Sequence, residues 1–132
     1  MSIGSVGGRR GEQAAARHLR RRGWTVLTTG WRGAGGELDL VAARGDVLAL
    51  CEVKARSDPA ALLEPVTAAQ RKRIRRAAEA FVASRPDLAG LQPRLDVLTV
   101  RLGRVRAHRQ DCLLYTSPSP RDISGSRMPS SA

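Results

Sequence analysis

Aromatic residues are scarce: Trp24, Trp31, Phe81 and Tyr115 make up 3% of a 132-residue chain. A surface that binds single strands by stacking successive bases has almost nothing to build with, whereas contact with backbone phosphates needs only Arg and Lys. Cysteine is nearly absent too. Cys51 and Cys112 are too few for a disulfide framework and lack the spacing of zinc ligands, and Cys51 sits in an apolar run where a small buried thiol is commonplace. His18 and His108 stand alone, without ligand-like spacing, and neither is assigned a role. No apolar stretch approaches the ~20 residues of a membrane span, and Gly and Arg occupy the N-terminus in place of a signal-peptide hydrophobic region, so a cytoplasmic protein is expected. Negative charge is in short supply as well, with 12 Asp and Glu against 23 Lys and Arg, a formal charge of +11. That excess suits a polyanionic partner, yet solvated Arg-rich helix faces account for it equally well, and charge alone does not settle function.

What is present is the composition of one packed domain. The chain is 42% hydrophobic and 27% charged, long enough for a core and too short for two domains that each fold alone. Residues 9–22 are Ala-rich and helix-favouring, with Ala15, Ala16 and Leu19 as an apolar stripe among arginines, and this helix ends at Gly23. Residues 24–29 read as a strand, and the glycine-rich stretch 30–36 as a flexible turn. Residues 37–43 and 47–55 form two strands of a hairpin around Arg44, Gly45 and Asp46. Residues 67–84 place Ile74, Ala77, Ala78, Phe81 and Val82 on one face of a second helix, which opens with a T-x-x-Q capping box, Thr67 to Gln70. Residues 93–102 give a fourth strand and 105–109 a short fifth. The order is αβββαβ, with one further β.

After Asp111 the character changes to a Ser/Pro-rich stretch with no apolar period. Residues 1–111 are therefore expected to form the domain, and 112–132 a disordered tail that reads as translated adapter sequence in place of the native C-terminus. Two arginines against one aspartate in that tail leave about +10 of the charge in the domain.

The chemistry is concentrated between Gly36 and Arg56, GELDLVAARGDVLALCEVKAR. Strand alternation puts Glu37 and Asp39 on one face, with Leu38 and Leu40 on the other, and likewise pairs Glu52 with Lys54. A turn of two or four residues at Arg44 brings the two charged pairs together, with Asp39 across from Glu52. Charged strand residues usually just face solvent. Here, however, Leu48 and Leu50 share the face of Glu52 and Lys54, and adjacent carboxylates repel unless a cation lies between them. A hard divalent ion with oxygen ligands fits, and Lys54 beside it can orient a water or offset charge on a phosphorane.

The run GELDLVA, twelve residues, then EVKAR resembles the Asp and Glu-x-Lys signature of the PD-(D/E)XK nuclease superfamily, and more closely the YraN-like uncharacterised protein family. Gly11 and Glu12, the basic helix after Val66 and RLDVLTV around Asp96 extend the likeness over about Gly7 to Asp111. The resemblance implies Asp39 and Glu52 as metal ligands, Lys54 as the catalytic lysine, and Glu12 as an acidic residue that reaches the metal through water. For Glu12 a first-turn carboxylate stabilised by the helix macrodipole is an equal alternative. Glu37 is an accessory candidate. Gln70 stands where relatives have Lys, and capping explains it. Arg71, Lys72, Arg73, Arg75 and Arg76 form a basic block suited to a phosphate backbone or, equally, to a solvated helix face. Asp96 is expected to be structural.

The expectation is an α/β, restriction-endonuclease-like fold with a mixed central sheet flanked by helices. Its implied activity is Mg²⁺- or Mn²⁺-dependent hydrolysis of DNA phosphodiesters, on branched DNA by similarity to Holliday-junction resolvases. The alternative is a nucleic-acid-binding or repair-accessory module without cleavage. Oligomeric state is open, a homodimer included.

Overall fold

The computed structural model describes residues 4–110, with side chains from Arg9 onward, so Cys112, Tyr115 and the adapter-like tail lie outside the described residues. The elements run α1 (Gly4–Arg21), β1 (Thr25–Gly33), β2 (Gly36–Arg44), β3 (Val47–Ala55), α2 (Ala68–Ser84), β4 (Gln92–Arg101) and β5 (Arg104–Arg109). The five strands form one sheet in sequential order. Neighbours are antiparallel except β3 and β4, which are parallel and need the crossover that α2 supplies. The sheet is therefore mixed, and the αβββαβ core is as expected, with β5 added.

Each helix covers one face. Ala15, Ala16 and Leu19 of α1 pack on Leu40, Ala42 and Cys51, which form one cluster with Trp24, Ala49 and Leu98. On the opposite face Ile74, Ala77, Ala78 and Phe81 of α2 meet Leu38, Val41, Leu48, Leu50, Leu95 and Val97. Strands covered on both sides read as nearly continuous apolar runs, and β4 is buried without a break from Leu95 to Val100. The Thr67 capping box is present with both hydrogen bonds, Gln70 N–H to Thr67 Oγ1 at 3.1 Å and Thr67 N–H to Gln70 Oε1 at 3.0 Å. Gln70 is thus occupied in starting the helix.

Three expectations need correction. The stretch 30–36 is no flexible loop: it is the end of β1, a tight reversal at Ala34 and Gly35, and the start of β2, with Trp31↔Leu38 and Gly33↔Gly36 in register. Trp31 anchors it, packing edge-on against Phe81 with ring centroids 5.4 Å apart. Gly36 is required because a Cβ there would lie 2.6 Å from the Arg73 carbonyl oxygen of α2. Second, α1 begins at Gly4, so Glu12 sits in mid-helix and its charge does not serve the first turn of the macrodipole. Third, Leu38 and Leu40 do not share a face. Leu38 packs toward α2 and Leu40 toward α1, so alternation breaks at Asp39.

Candidate active site

That break shapes the site. The β2–β3 ladder runs from Arg44↔Val47 to Leu40↔Cys51 and then stops. In place of the next rung, the Val53 N–H donates to Asp39 Oδ2 at 2.7 Å. A carboxylate thus takes the acceptor position that a backbone carbonyl holds in a continuing ladder, and the strands part around it. Asp39 lies edge-on in the opening.

Two other carboxylates come to it from the α1 side. Glu12 of α1 and Glu37 of β2 each place an oxygen so that, with Asp39, all three lie within 4.8 Å of one another. Gly30 adjoins Glu12: its φ is +65°, and a Cβ there would lie in ordinary contact, 3.9 Å from Glu12 Oε1. A side chain at that position would need a left-handed backbone beside the Glu12 carboxylate.

The β3 pair arrives differently from the expectation that all four charged groups share one face. Ala49, Cys51 and Val53 belong to the α1 side and Leu48 and Leu50 to the α2 side, so alternation carries Glu52 and Lys54 onto the α2 side. Lys54 is 6% exposed, and its Nζ lies 3.3 Å from Glu52 Oε2. The charge of Glu52 still acts on Asp39, alongside those of Glu12 and Glu37.

Electrostatics single out Asp39. Burial pushes its carboxyl from 3.8 up to about 7, and the charges of Glu52, Glu12 and Glu37 push the same way against the Val53 hydrogen bond. Glu12 is raised for like reasons, burial first and Glu37 second, with Arg9 opposing. Asp39, in poor solvent contact beside Glu12 and the exposed Glu37, would be stabilised by a cation. The set offers only oxygen donors, which suits Mg²⁺ or Mn²⁺ rather than a soft metal. Separations within 4.8 Å need only small side-chain adjustments to reach one ion at ~2.1 Å from each oxygen.

A cavity of about 570 Å³ opens beside Glu37, lined also by Arg32, Gly35, Gly36 and Arg73. Of the basic block on α2, Arg73 lines that cavity. Arg71 donates to the Val66 carbonyl at 2.9 Å and helps seat the helix start, Arg75 is half-buried, and Lys72 and Arg76 are exposed.

A profile of the uncharacterised protein family UPF0102 matches residues 11–100, which takes in α1 from Gly11, every carboxylate of the site, Lys54, and β4. The chain belongs to the UPF0102 family. This is the YraN-like family that the motifs resemble. A UPF0102 protein of Paramagnetospirillum magneticum is 44% identical over 79% of this chain and 84% of its own. One from Dinoroseobacter shibae is 42% identical over 76% of each chain. One from Kineococcus radiotolerans is 42% identical over 70% of this chain and 78% of its own.

Within this UPF0102 chain, Asp39 groups with Glu12 and Glu37, Glu52 reaches Asp39 only through its charge, and Lys54 pairs with Glu52. The motifs do not announce the position of Gly30 beside Glu12, because in the sequence it is one of four glycines in a stretch that reads as a turn. Asp96 is structural, as expected: it is fully buried and accepts two hydrogen bonds from Arg94 at 3.0 and 2.9 Å. His108, to which the sequence assigns no role, holds the same carboxylate, with Nε2 2.9 Å from Oδ2. Among the described residues no helix is long and apolar enough to cross a membrane.

Proposed function

We propose that this protein is a divalent-metal-dependent nuclease that hydrolyses DNA phosphodiester bonds. The observation that carries the reading is the position of Asp39, edge-on in the split between β2 and β3, where carboxylates from α1, β2 and β3 act on one group. Asp39, Glu12 and Glu37 would hold Mg²⁺ or Mn²⁺. Glu52 stays in the proposed ligand set because its charge is felt at Asp39. When bound, such an ion polarises the phosphodiester and makes a coordinated water acidic.

The protein's own groups do the rest. The Val53 N–H fixes the Asp39 carboxylate, so one oxygen is committed and the other is free to point into the opening. Lys54, buried and tied to Glu52, keeps an ammonium at the end of β3, where it can hold a water in place and offset charge that builds on phosphate oxygens. Arg32 and Arg73, across the cavity beside Glu37, would bind phosphates of the strand being cut.

The test is cleavage of linear, branched and single-stranded DNA by purified protein with Mg²⁺ or Mn²⁺. Wild type is expected to cut, and Asp39→Asn and Lys54→Met to lose at least about 100-fold in rate, the scale of removing one preorganised charge or donor. Lys54→Met keeps most of the buried aliphatic volume. Cutting that survives both substitutions, or that persists in chelator, counts against the site. Salt-sensitive binding without any cutting supports the accessory module instead.

A further inference from the structure

A second basic feature lies away from the carboxylates. In α1, Ala14, Arg17, His18 and Arg21 follow i, i+3, i+4, i+7 spacing and so form one stripe of the helix. They face the turn between β4 and β5, and a cleft of about 450 Å³ lies between, lined also by Arg22 and Arg104. The four arginines of this cleft, Arg17, Arg21, Arg22 and Arg104, are exposed, and His18 is partly buried.

The arginines at the end of α1 have an intrinsic use, because cations are favourable near a helix C-terminus. That does not account for Arg17, a full turn earlier, nor for Arg104, which comes from β5. Four arginines, Arg17 and Arg21 of α1, Arg22 in the turn after it and Arg104 of β5, line the cleft, with no carboxylate among its lining residues. Among the described residues, none of the ion pairs involves Arg17, Arg21, Arg22 or Arg104. Arg22 instead bonds to His18, at 3.2 Å from Nδ1, which directs another positive group along the same wall. Such convergence is self-repulsive until an anion enters.

We propose that the cleft between α1 and the β4–β5 turn is a phosphate-binding groove for a nucleic-acid backbone, separate from the cavity beside Glu37. The chemistry favours a nucleic acid over an anionic membrane. The lining is concave and arginine-rich with no aromatic residue, whereas a lipid surface is met by a flat face with apolar anchors. The groove would hold the duplex outside the cleavage point and set its orientation on the protein. It rests on the nuclease reading and deepens it by adding a phosphate-binding surface that needs neither metal nor chemistry.

The experiment uses the full chain in chelator, so that binding is read without cleavage. Fluorescence anisotropy of a labelled duplex oligonucleotide, titrated over a range of salt concentration, gives affinity and the slope of log affinity against log salt. Arg21→Gln and Arg104→Gln remove one lining charge each from different elements. Arg20→Gln removes the same charge from the exposed neighbouring position outside the cleft. Each cleft variant is expected to bind several-fold more weakly, and the slope to fall by about 0.9 for each phosphate that is no longer neutralised. Arg20→Gln is expected to change neither. Equal effects of all three would mean bulk charge and overturn the groove, as would wild-type binding by both cleft variants. Binding to phosphatidylserine vesicles that depends on Arg21 and Arg104, with no such dependence for the duplex, would overturn it too. If the cleft variants bind as wild type while wild type still cuts DNA, the groove fails and the nuclease reading stands. If they lose binding but no metal supports cutting, the reverse holds.

Discussion

Asp39 carries the most specific consequence at the scale of single residues. Its carboxyl ionises near 3.8 in the unfolded chain and about 7 in the fold. As pH rises the unfolded state therefore releases its proton first. The stabilisation from a protonated Asp39 is complete below about pH 4 and is lost progressively up to about pH 7. The displacement corresponds to roughly 4 kcal/mol, a large fraction of a small domain's stability. In chelator, thermal or urea unfolding should show wild type losing stability between about pH 4 and pH 7, and Asp39→Asn should flatten that loss. A wild-type profile that stays level, or rises, would show that Asp39 is not held in poor solvent contact beside other carboxylates. The identity of this residue is legible from the sequence, because an Asp and a Glu-x-Lys at hairpin spacing are unusual on strands that are otherwise apolar. How it meets its neighbours is not legible there. Strict alternation predicts one shared face, whereas the ladder ends at Leu40↔Cys51 and Asp39 turns into the gap. A break in alternation is a tertiary event, set here by α1 and α2 each claiming one of Leu38 and Leu40.

At the scale of elements, the strands and helices with a clean apolar period are readable, and the errors fall where glycine obscures it. The segment 30–36 looks like a loop by composition, yet Trp31 and Leu38 lock it as a hairpin and α2 closes over Gly36. The β4–β5 pair shows the same limit in another form. Asp96 is legible as structural from its place in an apolar strand, but its partners come from position 94 and from β5 at 108, and no local pattern announces that pairing. Arg94 and His108 together satisfy a fully buried carboxylate. Removing it should cost far more than the pairing itself contributes, because Arg94 is left largely covered without its counter-charge. Asp96→Ala is expected to lower unfolding free energy by roughly 3–5 kcal/mol, read as a lower urea midpoint at unchanged slope. A change below about 1 kcal/mol would mean that Arg94 and His108 find water or other acceptors instead. Since Asp96 lies outside the carboxylate site, cleavage per folded molecule should be unaffected in Asp96→Asn.

For the whole molecule, the carboxylate cluster joins two elements, α1 through Glu12 and β2 through Glu37 and Asp39, and β3 adds the charge of Glu52, to which Lys54 is paired. Packing brings them there although each carboxylate raises the cost of the others. A fold that keeps such a cluster gives up stability unless a cation restores it, so binding and folding are linked. An ion that binds only the folded state stabilises it by about 2.7 kcal/mol at a hundredfold excess over its dissociation constant. In a domain of about 100 residues that amounts to a rise in Tm on the order of 10 °C. Mg²⁺ or Mn²⁺ should therefore raise the Tm of wild type in proportion to the logarithm of concentration at about pH 8. The rise should be much smaller near pH 5.5, where Asp39 holds its proton and the ion must displace it. Glu12→Gln should reduce the response and Asp39→Asn should abolish it, while both variants, relieved of repulsion, match or exceed the wild-type Tm in chelator. Identical Tm values for wild type with ion and in chelator at about pH 8 would remove the metal from this site. The fold would then carry its crowded carboxylates for some other purpose.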